Sequence, residues 1–429
     1  MPKGKRKGKS DRKYEGSVQT SDDDSVIDNV SLISGYSDHH SIDDGGEEAD
    51  ETSQQEAFEV KITEAIDGLT QKSSQGRTNC FTAVGKAFIS KYHPDFVHDR
   101  RLTISDCIER GLRKGRGAEQ AAAAQLAPLL CVQLGLREAS EEITRNLKPV
   151  LSTIANDKTV AAPARSKCCT ALGLLTFLSG DDMGDVLQLM QGFQHIFSGS
   201  YLKGDGTIPN VTPEVASLHA AALSSWTLLL TLMAACDVYT MIGNTTTFQP
   251  SLTQLSDLLL SPHLEVRLTA GEALATVFEL GRDCHDDFAE DFVADLVETL
   301  RKLATDSHKY RAKKDRKQQR ATFRDILHYI ENDDISDVQV KFGTEVLVLD
   351  TWTRRKQYDA LCYVLGPGLN IHLAENELLR EIFELGDRII VGEVPLKKSN
   401  KLERHLMNAA AFKARTISRA KNRDKRSDF

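Results

Sequence analysis

The chain has 429 residues, of which 27% are charged and 6% aromatic, and its formal net charge is -8. This length accommodates two or three domains or one elongated repeat array, and the composition is typical of a helix-rich protein. No apolar run is long enough to span a bilayer, and the N-terminus lacks the apolar core of a secretory signal. The charge is segregated, because residues 1–13 are basic whereas residues 21–60 hold 13 acidic residues and no Lys or Arg.

The eight cysteines are scattered through apolar helical patterns, and no CxxC spacing occurs. Adjacent Cys168 and Cys169 would point to different sides of a helix. Without a signal peptide, this usage predicts reduced core thiols of an intracellular protein.

Residues 1–55 are poor in apolar side chains and rich in Ser, Asp, Glu and Gly, so they are predicted to be a disordered, basic-then-acidic tail. Within it, Ser31–Asp38 (SLISGYSD) stands out for its Leu, Ile and Tyr. It is either a short docking motif, a set of phosphorylatable serines beside acids, or a solvated linker.

Residues 56–330 read as successive helices joined by short polar breaks. One pattern recurs, a polar loop followed by a helix with small residues at its centre and large apolar residues on one stripe. The pattern occupies Ser73–Ile89, Gly115–Leu134, Asn156–Leu178, Ser261–Leu280 and, more weakly, Glu214–Leu232. The first three starts lie about 40–45 residues apart, which is the period of HEAT and armadillo repeats. We therefore predict an all-α fold, an armadillo-like helical solenoid, over the alternative of a generic helical bundle.

A dense basic run lies at the end of this region. Between Lys309 and Arg324 it holds eight cations and one acid, Asp315. The cations are Lys309, Arg311, Lys313, Lys314, Arg316, Lys317, Arg320 and Arg324. Such density favours contacts to phosphate groups over the alternative of a solvated helix face.

Residues 331–396 are predicted to form a small α(+β) region. The alternation in VQVKFG and TEVLVLDTW indicates a short β-hairpin around residues 338–350, with Gly343 near its turn. A helix then runs from Trp352 to Leu365 and stops at the Gly366-Pro367-Gly368 sequence. Leu369–Leu385 is predicted to be another amphipathic helix.

Residues 397–429 are predicted to form a basic C-terminal helix. They carry 11 Lys/Arg against 3 Asp/Glu, and Asn400 with Glu403 resembles a capping box. The cations surround the helix, so it suits a polyanionic channel better than its own protein. The predicted RNA contacts are Lys401, Arg404, His405, Lys413, Arg415, Arg419, Lys421, Arg423, Lys425 and Arg426. The alternative is a frayed, solvated tail.

The sequence carries none of the short motifs of nucleotide binding, zinc binding or nucleophilic catalysis. Cys284-His285 has no partner at zinc spacing, and His219, His328 and His372 stand apart from any Ser or Cys arrangement visible in the sequence. No catalytic residue, metal site or cofactor is predicted.

Several stretches in order resemble the interferon-related developmental regulator family. They are Ser34–Asp38, Tyr201–Lys203, Ala270–Leu280, Ala304–Leu327, Asn376–Gly386 and Leu402–Asp428. The resemblance implies an armadillo-like fold and no known catalytic activity. It also implies two roles, transcriptional co-regulation through histone-deacetylase-type complexes and binding to translationally inactive ribosomes. In the second role about Leu402–Arg426 would enter the mRNA/tRNA path, and residues 309–324 would contact ribosomal RNA or anchor that helix.

The leading hypothesis is a non-enzymatic ribosome- and RNA-binding translational regulator. The alternative is a scaffold for transcriptional co-repression, in which the acidic tail and the solenoid groove bind co-repressor proteins. The expected partners are the ribosome and its RNA, with no membrane, and the chain is expected to be monomeric off the ribosome. The expected location is both cytoplasmic and nuclear.

Overall fold

Nearly all regular structure in the computed structural model is α-helical; the model describes residues 47–388 except 136–137, 181, 244–248 and 307–311. The first helices are α1 (Glu47–Asp67), α2 (Ser74–Ser90), α3 (Pro94–Lys114), α4 (Ala118–Leu134), α5 (Glu138–Asn156), α6 (Ala162–Ser179), α7 (Met183–Phe197) and α8 (Pro213–Leu230). They are followed by α9 (Ala235–Gly243), α10 (Leu252–Asp257), α11 (Leu264–Cys284), α12 (Glu290–Thr305) and α13 (Lys313–Asn332). The last elements are β1 (Val338–Phe342), β2 (Glu345–Leu349), α14 (Trp352–Leu365), α15 (Leu369–Glu375) and α16 (Glu377–Ile382).

Six helices form one continuous stacked layer. In it α2 contacts α4, α4 contacts α6, α6 contacts α8, α8 contacts α11, and α11 contacts α13. Each of α3, α5, α7, α9 and α12 packs beside a member of this layer. Each repeat thus buries its apolar face against its neighbours, which is the organisation of a helical solenoid. The predicted fold class is confirmed.

Small residues let the layer helices approach closely. In α6, a Cβ atom built on Gly173 would lie 2.7 Å from the Cβ of Ser225 in α8. The Ser225 hydroxyl donates a hydrogen bond to the carbonyl of Cys169 at 3.0 Å, which ties the two backbones together. The five stretches in which the sequence shows the small-residue pattern are α2, α4, α6, α8 and α11, so the pattern marks the stacked layer itself.

A two-stranded antiparallel hairpin follows α13, as predicted. Val338 pairs with Leu349 and Phe342 pairs with Glu345, and Gly343 occupies the turn with a φ of 51°. The alternate residues Val340, Phe342, Leu347 and Leu349 are buried. One face of the hairpin therefore packs on the body, in contact with α14 and α15.

Helix α14 lies across the stacked layer. It contacts α11, α8 and α4, and the short 3-10 turn Gly366–Gly368 after it reaches α2. The carboxylate of Glu279 in α11 accepts hydrogen bonds from the backbone N–H groups of Trp352 and Thr353, at 2.7 and 2.8 Å. This carboxylate satisfies the first N–H groups of α14, which have no partner within the helix. The C-terminal region is thus fastened along several repeats.

The prediction of one continuous helix over Leu369–Leu385 is wrong, because the helix is broken at Asn376 into α15 and α16. The Asn376 backbone is extended, its side-chain oxygen accepts from the N–H of Leu378 at 3.0 Å, and its amide donates to the carbonyl of Val132 at 2.8 Å. These contacts hold Asn376 as the N-cap of α16.

The prediction of reduced thiols is wrong for two of the eight cysteines. Cys236 of α9 and Cys284 of α11 form a disulfide, with their Cα atoms 5.1 Å apart. The other six are free thiols, of which Cys107, Cys131, Cys168 and Cys169 are buried. The pair spans 48 residues, so only the packing of α9 on α11 brings the two together.

Three predicted segments fall wholly or partly outside the described residues. The region predicted for residues 331–396 is described only to residue 388. The tail predicted for residues 1–55 overlaps the described part only from Glu47, where α1 begins and packs on α2. The basic segment 397–429 lies outside it entirely. Among the helices that the structure describes, none combines the length and apolar character needed to cross a membrane.

Candidate nucleic-acid interface

Helix α13 is held on the last repeat by one buried stripe. Phe323 and Ile326 are fully buried, and they lie against Gly271 of α11. A Cβ atom on Gly271 would come within 2.8 Å of both side chains, so the glycine permits this close approach. The stripe leaves the opposite face of α13 toward solvent.

A buried polar network fixes the N-terminal half of α13. Gln319 is 1% exposed, and its side-chain oxygen accepts from the guanidinium of Arg267, with the shorter distance 2.7 Å to Nη2. Arg267, itself 2% exposed, also donates to the carbonyl of Ser261 at 2.6 Å. The Gln319 amide donates to Asp306 at 3.0 Å. Both buried groups are satisfied, which holds α13 at a fixed position relative to α11 and α12.

Six predicted RNA-contacting residues lie on α13, and we call them the basic face. They are Lys313, Lys314, Arg316, Lys317, Arg320 and Arg324. Four of them are exposed, whereas Arg316 and Arg320 are half-buried. None forms a salt bridge with a carboxylate in the part of the chain that the structure describes. The structure therefore brings these six cations together on one rigid, solvent-facing helix.

The remaining predicted RNA contacts are not placed by the structure. Lys309 and Arg311 precede α13 and lie outside the described residues. So do all the predicted contacts of the C-terminal segment, Lys401 to Arg426.

The N-terminus of α13 concentrates positive charge. Its N-cap is Ala312, which provides no side-chain acceptor, and Asp315 is the only acid of the first turn. The first N–H groups of a helix have no acceptor within it, and the helix dipole adds partial positive charge there. The Nε of Arg316 is also buried without a hydrogen-bond partner among the described groups. The uncapped helix start and the lysines on its first turn favour a bound anion.

A buried arginine anchors the point at which the chain leaves the described body. Arg380 of α16 is 2% exposed and pairs with both carboxylate oxygens of Glu345 in β2, at 3.2 and 2.9 Å. It also donates to the carbonyls of Gly386 and Asp387, at 2.9 and 2.8 Å. The segment before residue 389 is therefore tied to the hairpin.

The sequence analysis did not identify Gln319 or Arg380 as buried anchors. For Gln319 the sequence does contain a signal, because this residue stands four positions before Phe323, on the same face of the helix, within a run of cations. Arg380 had none, because its partner Glu345 is 35 residues away.

One serine–histidine pair appears in the fold although the sequence does not reveal it. Ser200 Oγ and His219 Nδ1 are 2.6 Å apart, and both residues are buried. Burial and the nearby Arg165 lower the pKa of His219 to about 4. A buried, weakly basic imidazole is a poor general base at neutral pH, and we assign the pair to the core. The described residues also contain no group of three or more side chains suited to hold a metal ion.

Comparison with known protein families shows which family the chain belongs to. A model described as interferon-related developmental regulator matches residues 29–331, and a model described as interferon-related protein conserved region matches residues 376–427. The chain belongs to the interferon-related developmental regulator family.

Relatives in this family match almost the whole chain. The pig interferon-related developmental regulator 1 is 41% identical over 412 residues, which cover 95% of this chain and 90% of the relative. The mouse interferon-related developmental regulator 2 is 42% identical over 390 residues, covering 90% and 86%. The family has no known catalytic activity. The basic face lies entirely within the first family model, and the C-terminal basic segment lies within the second except for its last two residues.

Proposed function

We propose that this protein is a non-enzymatic translational regulator that binds the RNA of inactive ribosomes. It docks through its helical repeats, and the basic segment 397–429 enters the mRNA/tRNA path. While that segment occupies the path, mRNA or tRNA cannot. The observation that carries the proposal is the basic face of α13, six cations without carboxylate partners among the described residues, fixed on a rigid repeat.

The position of these cations supports a role outside the chain's own stability. Lys313, Lys314 and Arg316 stand at the positive end of the helix dipole, where each like charge costs about 0.3–1 kcal/mol. A sequence selected only for stability would place acids there. A phosphate backbone reverses the sign of this cost, because each neutralised phosphate also releases counterions.

The start of α13 points the same way, because its N-cap, Ala312, provides no side-chain acceptor. A phosphate oxygen placed there would accept from the first N–H groups of the helix. RNA provides such oxygens at every nucleotide.

The C-terminal segment supplies the second half of the proposal by its charge. Its 11 Lys/Arg against 3 Asp/Glu are far in excess of the balance in the rest of the chain, whose total is negative. Arg380 holds the chain in place as far as Asp387, ten residues before this segment begins.

Sedimentation of cell extract through a sucrose gradient tests the proposal. We compare the full chain, a chain truncated after Val394, and a full chain with Lys314→Glu, Lys317→Glu and Arg324→Glu. The full chain is expected with non-translating ribosomes, and both variants are expected to shift to the top of the gradient. If the full chain itself stays at the top, the proposal is wrong.

A scaffold for co-repressor proteins is the competing function. The structure shows where the chain should be truncated to test it. Because α1 begins at Glu47 and packs on α2, the tail should be deleted only through residue 46. Loss of co-repressor capture with ribosome association unchanged would assign that role to the tail. Loss of ribosome association instead would contradict our assignment to the basic face and the C-terminal segment.

A further inference from the structure

An apolar cavity of about 170 Å³ opens between the first three helices of the stacked layer and α14. Phe81 and Ile89 of α2, Leu129 of α4 and Val364 of α14 line it. Protein interiors normally leave few voids larger than a water molecule. An open apolar cavity of this kind is therefore a place where another molecule can bury a side chain.

The charge around this cavity has one sign. Its lining includes Lys86 and Lys167 but no Asp or Glu. Neither lysine forms a salt bridge with a carboxylate within the described ranges. The ammonium of Lys167 instead lies 4.9 Å from the ring centre of Tyr363 and 2.6 Å from its hydroxyl oxygen.

Tyr363 extends the cavity toward solvent. Its side chain is 60% exposed, which makes it the most exposed large hydrophobic residue among those described. An exposed aromatic ring at the rim of an apolar cavity is typical of a protein interface, where aromatic residues supply contact area at low entropy cost. The two lysines then form a positively charged rim around it.

We propose that this cavity binds an acidic peptide segment of a partner protein. One apolar side chain of the peptide fills the cavity, and carboxylates beside it pair with Lys86 and Lys167. The cavity volume suits one anchoring side chain rather than a whole small molecule, and a few such anchors commonly dominate interface energies. This site is separate from the basic face, and its function does not depend on RNA binding.

RNA is the less suitable occupant of this site. Sequence-tolerant RNA binding uses aromatic platforms on which bases stack, and here the walls are mainly aliphatic. Two lysines also provide far fewer phosphate contacts than the basic face does. An apolar anchor with flanking carboxylates satisfies both the walls and the rim.

The residue Gly85 offers a way to block the cavity without disturbing the layer. It lies in the middle of α2 and lines the cavity, and a Cβ built on it would touch only Leu129, at 3.5 Å. That is an ordinary contact distance. Gly85→Met is therefore expected to fill the cavity from inside while preserving the helix, since glycine is a poor helix former.

Fluorescence polarisation with labelled 12-residue peptides tests the proposal. The peptides carry one central Leu, Phe, Trp or Ala among Asp and Glu residues, and a 20-nucleotide uridine RNA serves as the second probe. The full chain is compared with Gly85→Met, with Lys86→Glu/Lys167→Glu, and with the basic-face variant Lys314→Glu/Lys317→Glu/Arg324→Glu. Thermal unfolding of each variant checks that it is folded.

We expect at least one peptide with a large apolar centre to bind, and the Ala peptide to bind at least tenfold more weakly. Both the filled-cavity and the charge-reversed variants should weaken binding at least tenfold, and the basic-face variant should leave it unchanged. Failure of every peptide to bind the wild type at millimolar concentration would overturn the proposal. So would displacement of a bound peptide by the RNA, or unchanged binding in Lys86→Glu/Lys167→Glu.

Discussion

Two groups of cations in this molecule have opposite environments. Arg267 and Arg380 are buried, and carboxylates, an amide oxygen and backbone carbonyls accept hydrogen bonds from their guanidinium groups. The exposed cations of the basic face have no carboxylate partner in the described structure. The first group joins elements that are distant in sequence, whereas the second group contributes nothing visible to the fold.

This difference separates cations that the fold requires from cations that it does not require. Removing the partners of a buried guanidinium is strongly destabilising, because it leaves an uncompensated buried charge. Exposed lysines and arginines can be exchanged at almost no cost in stability, and the first turn of α13 even gains from the exchange. Their presence at an unfavourable position is what we attribute to the proposed external ligand.

The largest expected effect is on the buried group. Arg380→Ala removes both bonds to Glu345 and leaves that carboxylate and several carbonyls without a donor. The free energy of unfolding should fall by about 3–5 kcal/mol, measured by urea denaturation. The matched control is Arg324→Ala on the basic face, which should change it by less than about 0.5 kcal/mol. Similar losses in the two variants would break the comparison.

The disulfide gives the next largest effect. Cys236→Ser opens the link between α9 and α11, which spans 48 residues. We expect the free energy of unfolding to fall by about 2–4 kcal/mol under oxidising conditions. With dithiothreitol present, the variant and the wild type should be equally stable. Cys362→Ser, which removes a free thiol, is the control and should show no dependence on reductant.

A third effect depends on pH and concerns the buried His219. Its pKa in the folded state is about 4, below the value of about 6.5 in the unfolded chain, so the unfolded chain takes up the proton first. The stability tied to the neutral imidazole is fully present above pH 6.5 and is lost as the pH falls toward 4. The loss should reach up to about 3 kcal/mol.

The measurement for this effect is urea denaturation at pH 7 and pH 4.5. His219→Gln should lose less stability than the wild type over this interval, because glutamine does not titrate. Equal losses in the two proteins would show that His219 is not the responsible group.

A smaller effect tests how α13 packs against α11. Gly271→Ala places a methyl group within 2.8 Å of Phe323 and Ile326, so these side chains must shift. Overpacking should lower the free energy of unfolding by about 1–3 kcal/mol. Gly85→Ala, with its nearest contact at 3.5 Å, is the matched control and should be neutral or stabilising. Ribosome binding should also weaken in Gly271→Ala, because the basic face would be displaced.

The smallest expected effect has the opposite sign. Lys313→Glu/Lys314→Glu places two acids in the first turn of α13, where they interact favourably with the helix dipole. The free energy of unfolding should stay constant or rise by up to about 1 kcal/mol per residue, while ribosome affinity falls. Loss of both stability and affinity would instead mean that these lysines have a structural role.

The sequence predicted the parts of this structure that depend on local patterns. The stacked layer was found because Ala and Gly recur at the centres of helices such as α4 and α6, and the hairpin because Val340, Phe342, Leu347 and Leu349 alternate. The break at Asn376 was missed because its amide bonds to Val132, 244 residues away. The Cys236–Cys284 pair was missed for the same reason. Arg380 and Arg324 look alike in the sequence, and only tertiary contacts separate their roles.

The most direct test of the central claim is the salt dependence of ribosome binding by the full chain. The logarithm of the affinity is plotted against the logarithm of salt concentration for the wild type and for Lys314→Glu/Lys317→Glu/Arg324→Glu. The control variant carries Lys61→Glu/Lys72→Glu/Lys158→Glu, three exposed lysines in the first half of the repeats. If α13 contacts RNA phosphates, the slope should fall by about 0.7–0.9 for each cation lost from the basic face, and the control should keep the wild-type slope. An unchanged slope in the α13 variant, or an equal loss in the control, would contradict the claim.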